Sequence, residues 1–181
     1  SLIDTRGIIF DLRGYNMNGV GATIAERIIP ADSTIIAALL EIPQVFSPDQ
    51  NIQEQHMGLQ PTISGNLEDM YTGEVVVLID SRAISASEQI CLYLSAAGKI
   101  NKKVKFIGSP TSGADGNTTA AVLPGDIYIP FTGMKVRHGN GDQLQRVGII
   151  PDIWVTPKID DFKQRKDGVL IRAIRYLTTG E

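Results

Sequence analysis

A chain of 181 residues with 43% hydrophobic and 20% charged residues suits a single globular domain with a substantial core. Its formal charge of −3 gives no support to a nucleic-acid partner, and the Lys99, Lys102, Lys103 and Lys105 cluster, without interleaved aromatics, reads as a solvated loop. The single cysteine, Cys91, excludes an internal disulfide, and two histidines far from it in sequence give no metal-site spacing, so no metal and no cofactor are expected.

The first predicted element is a buried strand, Gly7 to Leu12, short and apolar and followed by turn residues. Asp11 to Gly21, rich in glycine and asparagine, reads as a loop. Ala22 to Ile29 carries apolar residues at helical spacing and stops at Pro30. Thr34 to Ile42 is a second amphipathic candidate, with a strand as the alternative. From 43 to 72 the periodicity dissolves into Gln, Asn, Pro, Ser and Gly, the pattern of an insertion or lid, and His56 falls within it.

Order returns at Gly73 to Asp80, a strand. Ser85 to Ala97 follows as a helix with Ile90, Cys91, Leu94 and Ala97 on one face and Gly98 as its stop. Val104 to Gly108 is the next strand, and strand–helix–strand predicts a parallel βαβ unit. Thr119 to Leu123, Asp126 to Phe131 and Met134 to Arg137 are short strand candidates between Pro and Gly turns. After Ile153-Trp154-Val155, Asp167 to Leu177 predicts a final amphipathic helix. No run approaches the roughly 20 apolar residues that span a bilayer. No signal peptide is visible. The abrupt start, Ser1-Leu2-Ile3-Asp4 leading almost at once into a core-like strand, is what a fragment of a longer protein would show.

The chemistry concentrates at Arg82-Ala83-Ile84-Ser85-Ala86-Ser87-Glu88-Gln89. A buried strand delivers Ser85 onto the first turn of a helix, where backbone N–H groups are unpaired. An acyl-transfer enzyme places its nucleophile at such a turn. The same residues also fit a capping box, in which serine caps the N3 amide and glutamate reaches back. The eight residues alone leave both readings open.

Companion motifs weight the choice. Asp11-Leu12-Arg13-Gly14 resembles the DLRG turn of the C-terminal processing (tail-specific) and tricorn-type core peptidases, peptidase family S41. Ile84-Ser85-Ala86-Ser87-Glu88 resembles that family's SASE nucleophile motif. Gly108-Ser109-Pro110-Thr111-Ser112-Gly113 is similar to its G-x-x-T-x-G loop, Gly148-Ile149-Ile150-Pro151-Asp152 to its G-I-x-P-D segment, and Asp167-Gly168-Val169-Leu170 to the start of its closing helix. Five motifs in order cover nearly the whole chain, so residues 1–181 read as one catalytic domain. The resemblance implies an α/β fold of the ClpP/crotonase-like β–α spiral type. It implies Ser85 as acyl-forming nucleophile, the Ala86 N–H as half of an oxyanion hole, and the glycine loop after Asp11, with Gly19 as candidate, as the other half. It also implies a peptide or protein substrate and an exported, periplasmic or cell-envelope parent.

The general base is what the resemblance does not supply. The processing-protease branch takes a lysine from the T-x-G-K loop, and this chain has Ala114 there. The tricorn-type branch takes a histidine from a segment before the DLRG strand, and neither His56 nor His138 occupies a matching position. That branch also places a carboxylate just before G-I-x-P-D, where this chain reads Leu144-Gln145; Gln145 can orient a histidine without stabilising its positive charge. The sequence therefore predicts a serine endopeptidase domain completed by a missing N-terminal segment. A non-catalytic peptide-binding module on the same fold is the alternative. An acyl-CoA enzyme of the crotonase type is the third reading, resting on fold analogy alone.

Overall fold

Five consecutive apolar residues, Val75 to Ile79, have no polar side to offer solvent, and all five are fully buried. The computed structural model describes residues 2–16, 19–44, 55–66 and 70–180. In chain order these form β1 (Gly7–Asp11), α1 (Gly21–Glu26), β2 (Thr34–Ile36), β3 (Ala38–Gln44), β4 (Gln55–Leu59), β5 (Thr62–Ser64), β6 (Glu74–Ile79), α2 (Ala86–Ile100) and β7 (Val104–Gly108). Then come β8 (Thr118–Leu123), β9 (Ile127–Thr132), β10 (Lys135–His138), β11 (Ile153–Trp154), α3 (Ile159–Lys163) and α4 (Gly168–Thr179).

The main sheet runs β1-β6-β7-β11, and each neighbouring pair is parallel. Parallel sheets are covered on both faces, which is why β6 is apolar throughout. Its side chains alternate. Val75, Val77 and Ile79 pack in one cluster with Ile90, Cys91 and Leu94 of α2, whereas Val76 and Leu78 pack with Val169 and Ala173 of α4. The result is a three-layer α/β arrangement with β6 at its centre. Because the strands are parallel, the loops after β1, β6 and β7 leave at the same edge of the sheet, the edge where open α/β sheets place their ligands. Gly108, at φ 137°, lets the end of β7 turn there; a Cβ would lie 1.9 Å from the Ile79 carbonyl oxygen.

Several elements differ from the sequence expectation. Residues 34–42 form strands, not a helix: β2 pairs with β5, and β3 lies between β10 and β4. The β-branched Thr34, Ile35, Ile36 and Ile42 favour that outcome once partner strands are present. Two of those partners, β4 and β5, come from the stretch expected to be an insertion or lid, and the third, β10, from far along the chain; residues 45–54 and 67–69 lie outside the described residues. Helix α1 is shorter than expected. Arg27 and Ile28 donate to the third residue back rather than the fourth, at 3.1 Å each, tightening the chain before Pro30. Gly98 does not stop α2, which continues to Ile100. A Cβ at Gly98 would stand 3.1 Å from Val104 Cβ, so the glycine brings the helix close to β7. The short α3 had no sequence signal strong enough to predict it.

The DLRG turn is tied to the closing helix by Arg13. Its guanidinium donates to Asp11 (Nε to Oδ1 2.9 Å, Nη2 to Oδ2 2.6 Å) and forks onto Asp167 (Nη1 to Oδ1 2.9 Å, Nη2 to Oδ2 2.7 Å). Asp167 is also the N-cap of α4, accepting the Leu170 N–H at 3.0 Å. Hydrogen bonding to Arg13 holds both carboxyl groups below the usual aspartate range, and Asp11 and Asp167 in turn raise the pKa of the guanidinium. Asp167→Ala removes the cap and half of this link and is expected to cost about 1–2 kcal/mol in urea unfolding at pH 7. Lowered folded pKa values stabilise above the unfolded aspartate pKa of about 3.9 and lose that contribution as pH falls. The difference between wild type and Asp167→Ala therefore shrinks on acidification below about pH 4, a trend that urea titrations at stepped pH will read.

Candidate active site

Ser85 is the N-cap of α2, but not in an ordinary capping conformation. A capping residue normally sits in the β region. Ser85 has φ 53° and ψ −114°, one of four non-glycine residues at positive φ among those described. Such backbone costs on the order of 1–3 kcal/mol and persists only where its surroundings over-determine it. It is the conformation of a sharp strand-to-helix turn that pushes a side chain out of the chain's path.

Glu88 provides the over-determination. Its carboxylate is fully buried and accepts from both sides of the site. Oε2 takes the Ser85 N–H at 3.3 Å and the Ala114 N–H at 2.8 Å; Oε1 takes the Gly113 N–H at 2.7 Å and the Thr111 hydroxyl at 2.5 Å. Glutamate three residues after the cap was expected to reach back, and it does. The other three donors, all from the loop after β7, have no signature in the sequence. Thr111 extends the chain of bonds, since its Oγ1 accepts the Ile149 N–H at 2.8 Å and Arg146 N–H donates to the Gly113 carbonyl at 2.7 Å. Gly113, at φ 66°, admits the approach: a Cβ would stand within 2.8–2.9 Å of the amides of 146–148.

Ser87, also fully buried, ties in the third loop. Its hydroxyl donates to the Gly14 carbonyl at 2.7 Å and accepts the Asn16 N–H at 2.8 Å. Loops from β1, β6 and β7 thus meet around the first turn of α2, joined by side chains of α2 itself. The G-I-x-P-D segment is anchored separately, with Asp152 Oδ2 accepting the Phe106 N–H at 2.8 Å.

The sequence-predicted residues are distributed as follows. Ala86 opens α2, so its N–H has no intrahelical acceptor. Gly19 is exposed two residues before α1, and residues 17 and 18, between it and the Ser87-held turn, lie outside the described residues. Gln145 Nε2 donates to the carbonyls of Asp115 and Met134, both at 2.8 Å, so its amide group braces the loop. His138 lines a cleft with Ser95, Gly98 and Lys99, ten or more residues along α2 from Ser85, about 15 Å or more by helical rise. Burial, and then Lys99, holds its pKa below the ordinary value against an opposing pull from Asp142. His56 pairs through its backbone with Pro43, and its side chain lies outside the described residues. Cys91 is buried, and burial raises its thiol pKa. Among the described residues no group of three or more His, Cys, Asp or Glu is placed to hold a metal ion, and no helix is long and apolar enough to cross a membrane.

Asp115 joins the site without a signal in the sequence. It follows Ala114 directly, is 8% exposed, and its Oδ1 accepts the Gly116 N–H at 2.8 Å. Burial above all, with a smaller push from Glu88, raises its pKa to about 6. An aspartate in a glycine-rich stretch reads as a turn residue, and only the fold buries it.

The chain belongs to peptidase family S41: the family model matches residues 2–155. No curated protein matches it in sequence. Among solved structures it is similar to a candidate peptidase from Parabacteroides merdae at 21% identity and a TM-score of 0.74, covering 97% of this chain and 53% of that one. Mature CPAF in complex with lactacystin is similar at 13% identity and 0.71, over 98% of this chain and 45% of that one. An S41 protease candidate from Bacteroides fragilis gives 18% identity and 0.60, over 96% and 45%. These likenesses show a shared mixed α/β fold. The chain spans about half the length of each of these three structures.

Glu88→Gln turns an acceptor into a donor facing the same N–H groups, and about 3 kcal/mol or more of stability is expected to be lost in urea unfolding. Thr111→Val is expected to cost about 1–2 kcal/mol by the same measurement. Asp115 gives a distinct pH signature. Its folded pKa of about 6 lies above the unfolded value of about 3.9, so between them the folded state holds a proton the unfolded chain has released. Stability of the wild type is expected to fall by about 1–3 kcal/mol as pH rises through that window. Asp115→Asn should lack this decrement, and melting temperatures from pH 4 to 7 will show it.

Proposed function

We propose that this chain is the nucleophile-bearing part of a serine endopeptidase. Ser85 attacks a peptide carbonyl, its hydroxyl proton passing to a general base as the C–O bond forms. The amine leaves with a proton, and water then releases the acyl group from Ser85. The observation that carries this reading is the Ser85 backbone: a cap needs no positive φ, whereas a projected nucleophile does. The Ala86 N–H supplies one oxyanion donor and the loop containing Gly19 the other. Gln145 orients the site through the loop it braces.

Ala114 contributes only an amide to Glu88, and the general base comes from polypeptide outside these 181 residues, a reading supported by the half-length match to the solved structures. We take residues 1–181 as one domain of the ClpP/crotonase-like spiral type with 43–72 as an insertion, supported by the parallel sheet and its covering helices. Family membership supports a peptide or protein substrate, and we take the parent to be exported, periplasmic or cell-envelope. The alanine at the lysine position favours one alternative, a peptide-binding module that no longer cleaves.

A fluorophosphonate serine probe on the full-length protein decides between them. Labelling that Ser85→Ala abolishes is expected; equal labelling of both would sink the peptidase reading. Strain at Ser85 has its own readout. Ser85→Gly is expected to be about 1 kcal/mol more stable than Ser85→Ala, because only glycine occupies positive φ freely, and neither variant should label.

A further inference from the structure

Every residue of β8 and β9 is exposed, and neither strand carries a charged residue. Among the described residues the two strands pair only with each other. A lone two-stranded hairpin is at best marginal in water, and an exposed apolar surface of this kind marks an interaction site. The register places Ala121 and Leu123 on one face with Ile127, Ile129 and Phe131.

The two outer edges are not equivalent. Proline has no N–H, so β9 holds Pro130 with its nitrogen turned away from β8. Pro130 lies opposite Ala120. Opposed residues alternate between pairs that exchange hydrogen bonds and pairs that do not. Ala120 therefore belongs to a pair that does not, and its N–H and C=O face outward, as do those of Thr118 and Val122. Pro130 blunts the edge of β9, while β8 keeps its donors and acceptors.

Size and position identify the occupant. A face two strands wide and six residues long measures about 10 by 20 Å. That is far below the about 800 Å² per partner of a standard protein interface and fits one extended segment. The edge also continues from the site. Ala114, whose amide shares Glu88 Oε2 with Ser85, lies at most about 14 Å of extended chain before Thr118. The Gly133 N–H closes the hairpin's root on the Asn117 carbonyl at 2.9 Å.

We propose that the outer edge of β8 takes the substrate polypeptide as a third strand and selects extended, uncharged, apolar segments. Main-chain bonds to Thr118, Ala120 and Val122 hold it, and its alternate side chains join the apolar row of Ala121 and Leu123. The identity of the occupant rests on the peptidase reading.

The test is fluorescence anisotropy on the full-length protein carrying Ser85→Ala, with a fluorescein-labelled dodecapeptide of three Ala-Val-Thr-Leu repeats. Ala120→Pro removes an outward donor without touching the hairpin ladder, and Ile129→Asp puts a charge in the apolar row. Each is expected to raise Kd at least tenfold, with Phe162→Ser in α3 leaving it unchanged. No binding, or an unchanged Kd in both hairpin variants, overturns the proposal. So does a dimer in sedimentation that either hairpin variant dissolves, which would assign the edge to a second copy. Serine-probe labelling separates the two readings: hairpin-dependent binding without labelling removes catalysis alone, and labelling with hairpin-independent binding removes the docking edge alone.

Discussion

The buried carboxylate of Glu88 is the interaction on which the site depends. A charge taken out of water is costly unless hydrogen bonds replace its hydration. Here four donors replace it, one from the Ser85 turn and three from the loop after β7. Those donors would themselves be buried without acceptors if the carboxylate were lost. The arrangement is therefore all or none: a loop that left Glu88 would strand a charge, and a Glu88 that moved would strand amides. This mutual dependence fixes two chain segments that no strand pairing joins.

That constraint works only because the scaffold beneath is rigid. β6 is buried on both faces, with its side chains divided between α2 and α4. Neither helix shifts without opening a cavity against it. Parallel pairing then brings three loops to one edge, and Arg13 links the β1 end to α4 on the far layer. Ser87 and Glu88, adjacent in sequence, face different neighbours: Ser87 holds the 14–16 turn and Glu88 the 111–114 loop. One turn of helix organises the loops on both of its sides.

The parts legible in the sequence are those whose local pattern and tertiary environment agree. Val75 to Ile79, the α2 face and the α4 stripe each have one period and one burial, so periodicity suffices. Thr34 to Ile42 went the other way because two of its partners, β4 and β5, come from a segment with no periodicity of its own and the third, β10, lies nearly a hundred residues on. Gly98 misled because a helix-stopping residue was serving close packing on β7. Within the site, Ser85 and Glu88 were readable as a pair at helical spacing. The bonds from Thr111, Gly113 and Ala114 were not, since two of them are backbone N–H groups that any residue type provides. Gln145 was read as a partner for a base and is found bracing carbonyls, a role with no residue signature.

This last point bears on the missing lysine. Position 114 contributes to the scaffold through its N–H, not its side chain. Alanine there leaves the Glu88 bracket whole, so the geometry of the Ser85 turn does not depend on which side chain position 114 carries. Ser85 makes no side-chain capping hydrogen bond, and its φ of 53° costs on the order of 1–3 kcal/mol relative to the β region, so a capping role does not account for its conformation. The strain is instead retained by four bonds to a buried carboxylate and by a second serine gripping the opposite loop. That bracing fixes the direction of the Ser85 side chain, and it is the physical ground on which we propose the hydroxyl as the nucleophile.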